Sequence, residues 1–370
     1  MDISSETVHG LLPVYLVAAL GANATAVGIL EGFAEAFVLV FKVLSGPISD
    51  LLSKRKPIVV LGYSMGALSK PLFAISNSIS FIYVARIFDR IGKGIRGAPR
   101  DAMVADLAPA NLRGRAFGLR QSLDTIGAFL GPTLAIVLMK TLNGDFKIVF
   151  WIATIPGMIS VIILLRWVKE EPKREAQYQS RHLNFREIKM FQRNFWIVSA
   201  AGAIFQLARF SEAFLILKIK DLGVSSELAP VVLIIMNVVY ALSAYPIGFL
   251  SDRIPRKLFL MIGMLILCIA DLLLALTHEI WLSMIGIALW GLHLGFTQGT
   301  LAALVADTCP QDRKGTAYGI FNIFSAISLL IASVLAGFIW DHFAPQVTFY
   351  AGSGISFLSF LVFIFIKKMA

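Results

Sequence analysis

Charge is scarce in this chain. Asp, Glu, Lys and Arg make up 15% of its 370 residues, against 57% hydrophobic residues. A soluble domain carries roughly a quarter charged residues, so this composition, with a mean hydropathy of +0.78, excludes an ordinary water-soluble fold. Cysteine is almost absent as well: Cys268 and Cys309 stand far apart, in no metal-ligand spacing and no disulfide framework. No Cys/His cluster is present, so no metal and no other cofactor is expected. The chain has no Walker sequence, which argues against ATP-driven pumping. It also lacks a recognisable set of nucleophile, acid and base, which argues against an enzyme. The net charge of +10 would suit nucleic acid. The basic residues, however, sit between apolar segments, where the positive-inside rule places them, so no nucleic-acid partner is expected.

What is present is apolar sequence in lengths near the ~20 residues that cross a bilayer. Six such segments run Ile3 to Leu20, Val27 to Ser49, Pro57 to Ser76, Phe81 to Leu107, Phe117 to Leu142 and Ile148 to Val168. Six more run Phe195 to Ile219, Leu228 to Leu250, Leu258 to Leu276, Trp281 to Val305, Tyr318 to Ile339 and Val347 to Ile366. The fold expected is an all-α integral membrane protein of about twelve transmembrane helices. The connectors after segments 2, 4, 8 and 10 carry Lys54-Arg55-Lys56, Arg113 and Arg115, Arg253 with Arg256-Lys257, and Arg313-Lys314. These connectors, the stretch 169–193 and both termini are therefore expected on the cytoplasmic side. Met1 to Glu6 reads as too polar to begin a spanning segment. Helix 1 is shorter than its counterpart in the second half by about two turns, as if the start were truncated.

The chain repeats itself. Val104-Ala105-Asp106, Pro109, Gly114 and Gly118 recur 201 positions on as Val305-Ala306-Asp307, Pro310, Gly315 and Gly319, and Gly46 and Asp50 recur as Gly248 and Asp252. The domains expected are a six-helix bundle over 1–168, a linker over 169–193 and a second six-helix bundle over 194–370. Two such pseudo-repeats around a central cavity form the parallel-repeat plan of many transporters, with the solute held near the midplane.

Gly248-x3-Asp252-Arg253-x2-Arg256-Lys257, with its weaker copy Gly46-x3-Asp50-x3-Lys54-Arg55-Lys56, resembles the loop signature of the major facilitator superfamily between helices 2 and 3 and helices 8 and 9. Gly127-x3-Gly131-Pro132 is similar to the core of that superfamily's antiporter motif, although small residues four apart also serve simple helix packing. Arg86 falls where the helix 4 motif has an arginine. The stretch Asp89 to Asp101, DRIGKGIRGAPRD, resembles a prokaryotic subgroup whose substrates are mostly unassigned. The resemblance implies a multi-pass transporter of the prokaryotic inner membrane, expected as a monomer, and an inner gate built from Asp50, Lys54, Arg55, Asp252, Arg253 and Arg256. Leu51 and Ser53 depart from the loop pattern, so the first-half gate would use Lys54 or Arg55 instead.

One stretch concentrates charge. Between Ala85 and Asp106 lie Arg86, Asp89, Arg90, Lys93, Arg96, Arg100 and Asp101, all within an arc of roughly 140° of a helix. A charge at the bilayer centre costs at least ~2.5 kcal/mol, so such residues face water or pair inside a bundle. Two readings stand. In one, the stripe is a ladder of internal salt bridges, Asp89 with Lys93 and Arg96, with Arg100 and Asp101 nearby. In the other, its surplus cations Arg86, Arg90, Lys93 and Arg96 bind an anionic solute, while Arg100 and Asp101 belong to the gate. Glu31, Glu35 and Lys42 form a second stripe on helix 2. Glu31 and Glu35, with Asp89, are the candidate proton carriers. Arg209 and Trp290 are the second-half candidates for touching solute, Asp271 needs a partner or a proton, and Arg120 pairs with Asp124.

The function expected is a secondary active transporter that works by alternating access on a small, anionic organic solute, with protons as the coupling ion. A broad efflux antiporter for amphipathic compounds is the alternative within transport. A non-transporting sensor or membrane-embedded enzyme on the same scaffold is the alternative outside it.

Overall fold

The computed structural model describes residues 1–51, 54–109, 112–169, 191–251, 253–310 and 314–365. Asp252 and Arg313 lie outside the described residues, as do the side chains of Asp50, Leu51, Arg113 and Lys314. Among the described residues the chain is helical throughout. The helices are α1 (Asp2–Val14), α2 (Ala24–Leu51), α3 (Lys56–Ile75), α4 (Ile79–Leu107), α5 (Arg113–Thr141), α6 (Phe146–Trp167), α7 (Arg193–Gln206), α8 (Ala213–Asp221), α9 (Val231–Ser251), α10 (Arg256–Leu276), α11 (Ile280–Asp307), α12 (Lys314–His342) and α13 (Pro345–Phe365), with a π turn over Tyr15–Ala19. Eight of them, α3, α5, α6 and α9 to α13, are long and apolar enough to cross a bilayer by composition. The other four expected segments fall on α1 with its π turn, on α2, on α4 and on α7 with α8.

Local chemistry sets several boundaries. Ser78 caps α4 by accepting the Phe81 N–H at 3.3 Å. Asp145 caps α6 by accepting the N–H groups of Lys147 and Ile148 at 2.9 and 3.1 Å. The α5–α6 turn uses left-handed backbone at Asn143 and Gly144, residue types that adopt it at little cost.

Two expectations are corrected. Asp2 to Glu6 are helical and largely buried, because their polar groups find partners: Ser4 Oγ donates to the Ala153 carbonyl at 2.6 Å, and one turn on Thr7 Oγ1 donates to the Gly131 carbonyl at 3.1 Å. The segment read as one helix over Phe195 to Ile219 is broken between Gln206 and Ala213, leaving α7 and α8 as two short helices.

The chain divides into two compact units. The first comprises residues 1–20 and 33–184, the second residues 21–32 and 185–370, so the first turns of α2 group with the second half. In the first unit α3 lies against α4 and α6, and α1 against α5 and α6. Gly131 makes the α1–α5 approach possible, since a Cβ there would stand 2.6 Å from Glu6 Cβ and 2.9 Å from the Ile3 carbonyl oxygen. Helix packing thus accounts for the glycines of the antiporter-like stretch. In the second unit α10 packs on α11 and α13, α11 on α9, and α12 on α7.

The start of α2 is seated on α12. Asp341 accepts the N–H groups of Ala24 and Thr25 at 3.0 and 2.7 Å, satisfying donors that a helix start leaves open. A Cβ on Gly28 would fall 2.2 Å from the Ser333 carbonyl oxygen, and one on Gly337 would fall 2.5 Å from the Ala24 carbonyl oxygen. Asp341→Ala should therefore cost about 1 kcal/mol of stability, and Gly28→Leu about 1–3 kcal/mol through overpacking. Thermal unfolding in detergent measures both, and an unchanged melting point for Gly28→Leu would contradict this close approach.

Candidate functional site

Helix α4 turns its charged face inward. Arg86, Arg90 and Arg96 are 1–3% exposed and Asp89 is 4% exposed, whereas Val84 on the opposite side is 63% exposed. Asp89 is held from α3: Lys70 Nζ donates to its Oδ1 at 2.5 Å and Ser69 Oγ donates to the same oxygen at 3.0 Å. Lys70, itself wholly buried, also donates to Ser5 Oγ on α1 at 3.2 Å. The partner of Asp89 is therefore Lys70 rather than the Lys93 of the ladder reading. An ion pair across neighbouring helices fixes their register, which a pair within one helix cannot do.

Arg90 and Arg96 each have carboxylates at longer range. Arg90 lies 3.6 Å from Glu35 and 4.0 Å from Asp89. Arg96 lies 3.6 Å from Asp2 on α1, with its guanidinium 4.6 Å above the Tyr63 ring, so its partner is neither Arg100's neighbour Asp101 nor any other α4 group. Lys93 is half-buried and makes no hydrogen bond or ion pair among the described residues. Arg100 contacts Asp101 at 3.5 Å and Asp124 at 3.7 Å, and Arg120 bridges the same two aspartates at 2.8 and 3.1 Å. Glu35 is partly exposed, and Lys42 packs its stem along Gly97. Glu31 is buried and belongs to the second unit.

Sequence reasoning missed the contribution of α1. Asp2, Glu6 and His9 line the same network, with His9 Nδ1 3.3 Å from Glu6 Oε2. It also missed what the repeat implied for side chains. Lys70 and Asp89 stand 201 positions before Asp271 and Trp290, and the second pair is bonded as the first is, Trp290 Nε1 donating to Asp271 Oδ1 at 2.9 Å. Arg55 donates to Asp106, and Arg256, 201 positions on, donates to Asp307. Lys56 Nζ reaches the Leu165 carbonyl at 3.0 Å, and Lys257 Nζ the Ile364 carbonyl at 3.2 Å. Each unit thus ties the start of its third helix to the ends of its fourth and sixth. The 201-residue offset was legible and carried these pairs.

Of the expected gate residues, Arg55 and Arg256 are in these pairs. Arg253 lies over the Phe249 ring at 4.5 Å, Lys54 is exposed, and Asp252 and the Asp50 side chain lie outside the described residues.

In the second unit the break between α7 and α8 gathers the polar residues. Arg209 donates to Gln206 Oε1 at 3.0 Å. Phe210 packs on Trp290 and Phe349, with ring centroids 6.0 and 5.6 Å away. Trp290 meets His293 edge to face at 4.7 Å. Interrupted membrane helices of this kind expose backbone dipoles and mark ligand sites in transporters.

A two-unit helical membrane protein with an internal repeat and buried charge in each half is built as a solute transporter. The chain belongs to the Major Facilitator Superfamily, whose sequence pattern it matches over residues 2–217 and 210–369. It is 33% identical to an uncharacterized MFS-type transporter, MJ1317, of Methanocaldococcus jannaschii, over 99% of this chain and 92% of that one. It is 26% identical to the class H tetracycline resistance protein of Pasteurella multocida, over 90% of this chain and 86% of that one. Among solved structures it is similar to the nucleoside transporter NupG, with a TM-score of 0.80 at 15% identity, covering 99% of this chain and 96% of that one. It is thus a multi-pass membrane protein with the fold of a secondary transporter, and MJ1317 and NupG are transporters by name.

The Lys70–Asp89 bond generates a stability prediction. Lys70→Met leaves a buried carboxylate without its cation and should cost about 3–5 kcal/mol. The double substitution Lys70→Met with Asp89→Leu should recover most of that loss. Unfolding midpoints of the single and double variants in detergent test it. Equal losses in both would contradict the pairing.

Proposed function

We propose that this transporter moves a small anionic organic solute by alternating access, with the α4 cations as its anion site. Lys93 carries the reading. It is a half-buried ammonium without a hydrogen bond or ion pair among the described residues, one turn from Arg90 and from Arg96, whose contact with Asp2 is 3.6 Å long. A static structural pair looks like Lys70 and Asp89, close and cross-braced. Lys93 and Arg96 are held loosely by comparison, so a carboxylate or phosphate of the solute can engage them and the guanidinium groups beside them.

Arg86, Arg90, Lys93 and Arg96 bind the acidic group in this reading, while Arg209 and Trp290 contact the less polar body of the solute. Glu35, close to Arg90, and buried Glu31 carry the coupling proton, with Asp89 as the third carboxyl of the set. Asp50, Lys54, Arg55, Arg100, Asp101, Asp252, Arg253 and Arg256 form the inner gate. The protein sits as a monomer in a prokaryotic inner membrane with both termini cytoplasmic, as the basic connectors indicate, and its DRIGKGIRGAPRD stretch groups it with a subgroup of facilitators. Efflux of amphipathic compounds is the second reading, supported by the glycine pair of α5 and by the similarity to a tetracycline resistance protein.

Lys93→Gln and Arg90→Gln should each weaken binding of the recognised organic anion by at least ~1.5 kcal/mol, the low end for a charged hydrogen bond. Lys93→Gln should leave the unfolding midpoint unchanged or raised, because it relieves repulsion among the cations. Equilibrium binding across a panel of carboxylates and phosphate esters, with thermal unfolding on the same samples, measures both. A large fall in stability with unaltered affinity would contradict the anion site.

A further inference from the structure

The two units carry the same buried bond with different chemistry. In the first unit the acid of the pair, Asp89, faces a lysine. In the second, Asp271 on α10 is 0% exposed and receives only the neutral indole N–H of Trp290 on α11, at 2.9 Å. Its other oxygen, Oδ2, has no hydrogen-bond partner among the described residues. Carbon encloses that oxygen instead: a Cβ built on Gly352 of α13 would stand 2.6 Å from Oδ2 and 2.9 Å from Phe210 Cε1. The carboxyl therefore lies against α13 at Gly352, and the ring of Phe210, from the break between α7 and α8, reaches the same glycine.

No cation balances it. Among the described residues Asp271 makes no ion pair. From α11 it meets Trp290; His293 packs on that indole, and neither of its ring nitrogens makes a well-aligned hydrogen bond among the described residues. On the broken segment Arg209 and Glu212 flank Phe210, with an Arg209 guanidinium N–H directed to Gln206. On α9 the titratable groups are Tyr240 and Tyr245, and on α13 there is Tyr350, which is 42% exposed. On its own helix Cys268 is engaged with Ser353 at 3.2 Å. An ionised carboxyl in this setting would be a buried charge with one neutral donor, which a protein interior disfavours strongly.

We propose that Asp271 is a proton-binding site of the second unit, separate from Glu31, Glu35 and Asp89. Asp271 holds the proton on Oδ2 while Phe210 and Gly352 cover it. When the α7–α8 break shifts and water reaches the carboxyl, the O–H bond breaks, the proton passes to water, and the carboxylate keeps the indole N–H on Oδ1 while water solvates Oδ2. Intramembrane carboxyls that exchange protons serve as relays in transporters, and the broken helix supplies the movable cover. The site stands whether or not the transported solute is an anion.

The indole that touches Asp271 reports on it. Tryptophan emission of the full chain in detergent, titrated from roughly pH 5 to pH 9, should show one transition in the wild type. Asp271→Asn, an isosteric mimic of the neutral acid, and Trp290→Phe should both abolish it, and His293→Gln should leave it in place. Infrared spectra of the wild type should show a neutral-carboxyl carbonyl band that fades over the same range and shifts in Trp290→Phe. A flat wild-type titration, a transition that survives Asp271→Asn or vanishes in His293→Gln, or a carbonyl band insensitive to pH would overturn the proposal.

Discussion

The bond between Lys70 and Asp89 ties three helices together. Lys70 comes from α3, Asp89 from α4, and the same ammonium reaches Ser5 on α1. Burying either charge alone would cost several kcal/mol, so each is tolerable only because the other is within hydrogen-bond distance. The register of α3 against α4 follows from that requirement, and with it the direction in which the rest of the α4 face points. Arg90, Lys93 and Arg96 sit where they do because Asp89 is already occupied from the other side.

The repeat preserves the position of that bond and changes its charge. Asp271 and Trp290 hold α10 to α11 as Lys70 and Asp89 hold α3 to α4, and the ends of the same helices are tied by Arg55 with Asp106 and by Arg256 with Asp307. Both units are thus braced as rigid helix sets, which is what a transporter that rocks bodies against each other requires. The units then diverge. The first collects a band of arginine, lysine and carboxylate, and the second a broken helix with aromatic and amide groups.

Much of this was legible in the sequence. Segment number, the inward face of α4, the Arg120–Asp124 pair and the repeat follow from periodicity and from the cost of charge in hydrocarbon, since a bilayer leaves few ways to place a cation. Partner choice is less legible. Sequence spacing assigns Asp89 to Lys93 because both lie on one helix, whereas a partner three-dimensionally adjacent on α3 leaves no periodic trace. The start of α1 misleads for the same reason: Asp2, Ser4 and Glu6 read as too polar for a spanning segment until Arg96 of α4, the Ala153 carbonyl of α6 and His9 one turn on supply their partners. The break in α7 has no proline or glycine within 207–212 to announce it; the packing of Phe210 against Trp290 and Phe349 and the Ser211 N–H donated to Ser333 Oγ on α12 hold that segment in place.

The central claim is that the α4 cations around Lys93 recognise an anion while the tightly held Lys70–Asp89 pair beside them is only a brace. Flux in proteoliposomes tests it most directly, using a panel of labelled organic acids and lipophilic cations with the wild type, Lys93→Gln and a charge-retaining Lys93→Arg. The account predicts transport of at least one organic acid, its loss in Lys93→Gln and its substantial retention in Lys93→Arg. Transport of lipophilic cations alone, unaffected by the charge at position 93, would contradict it.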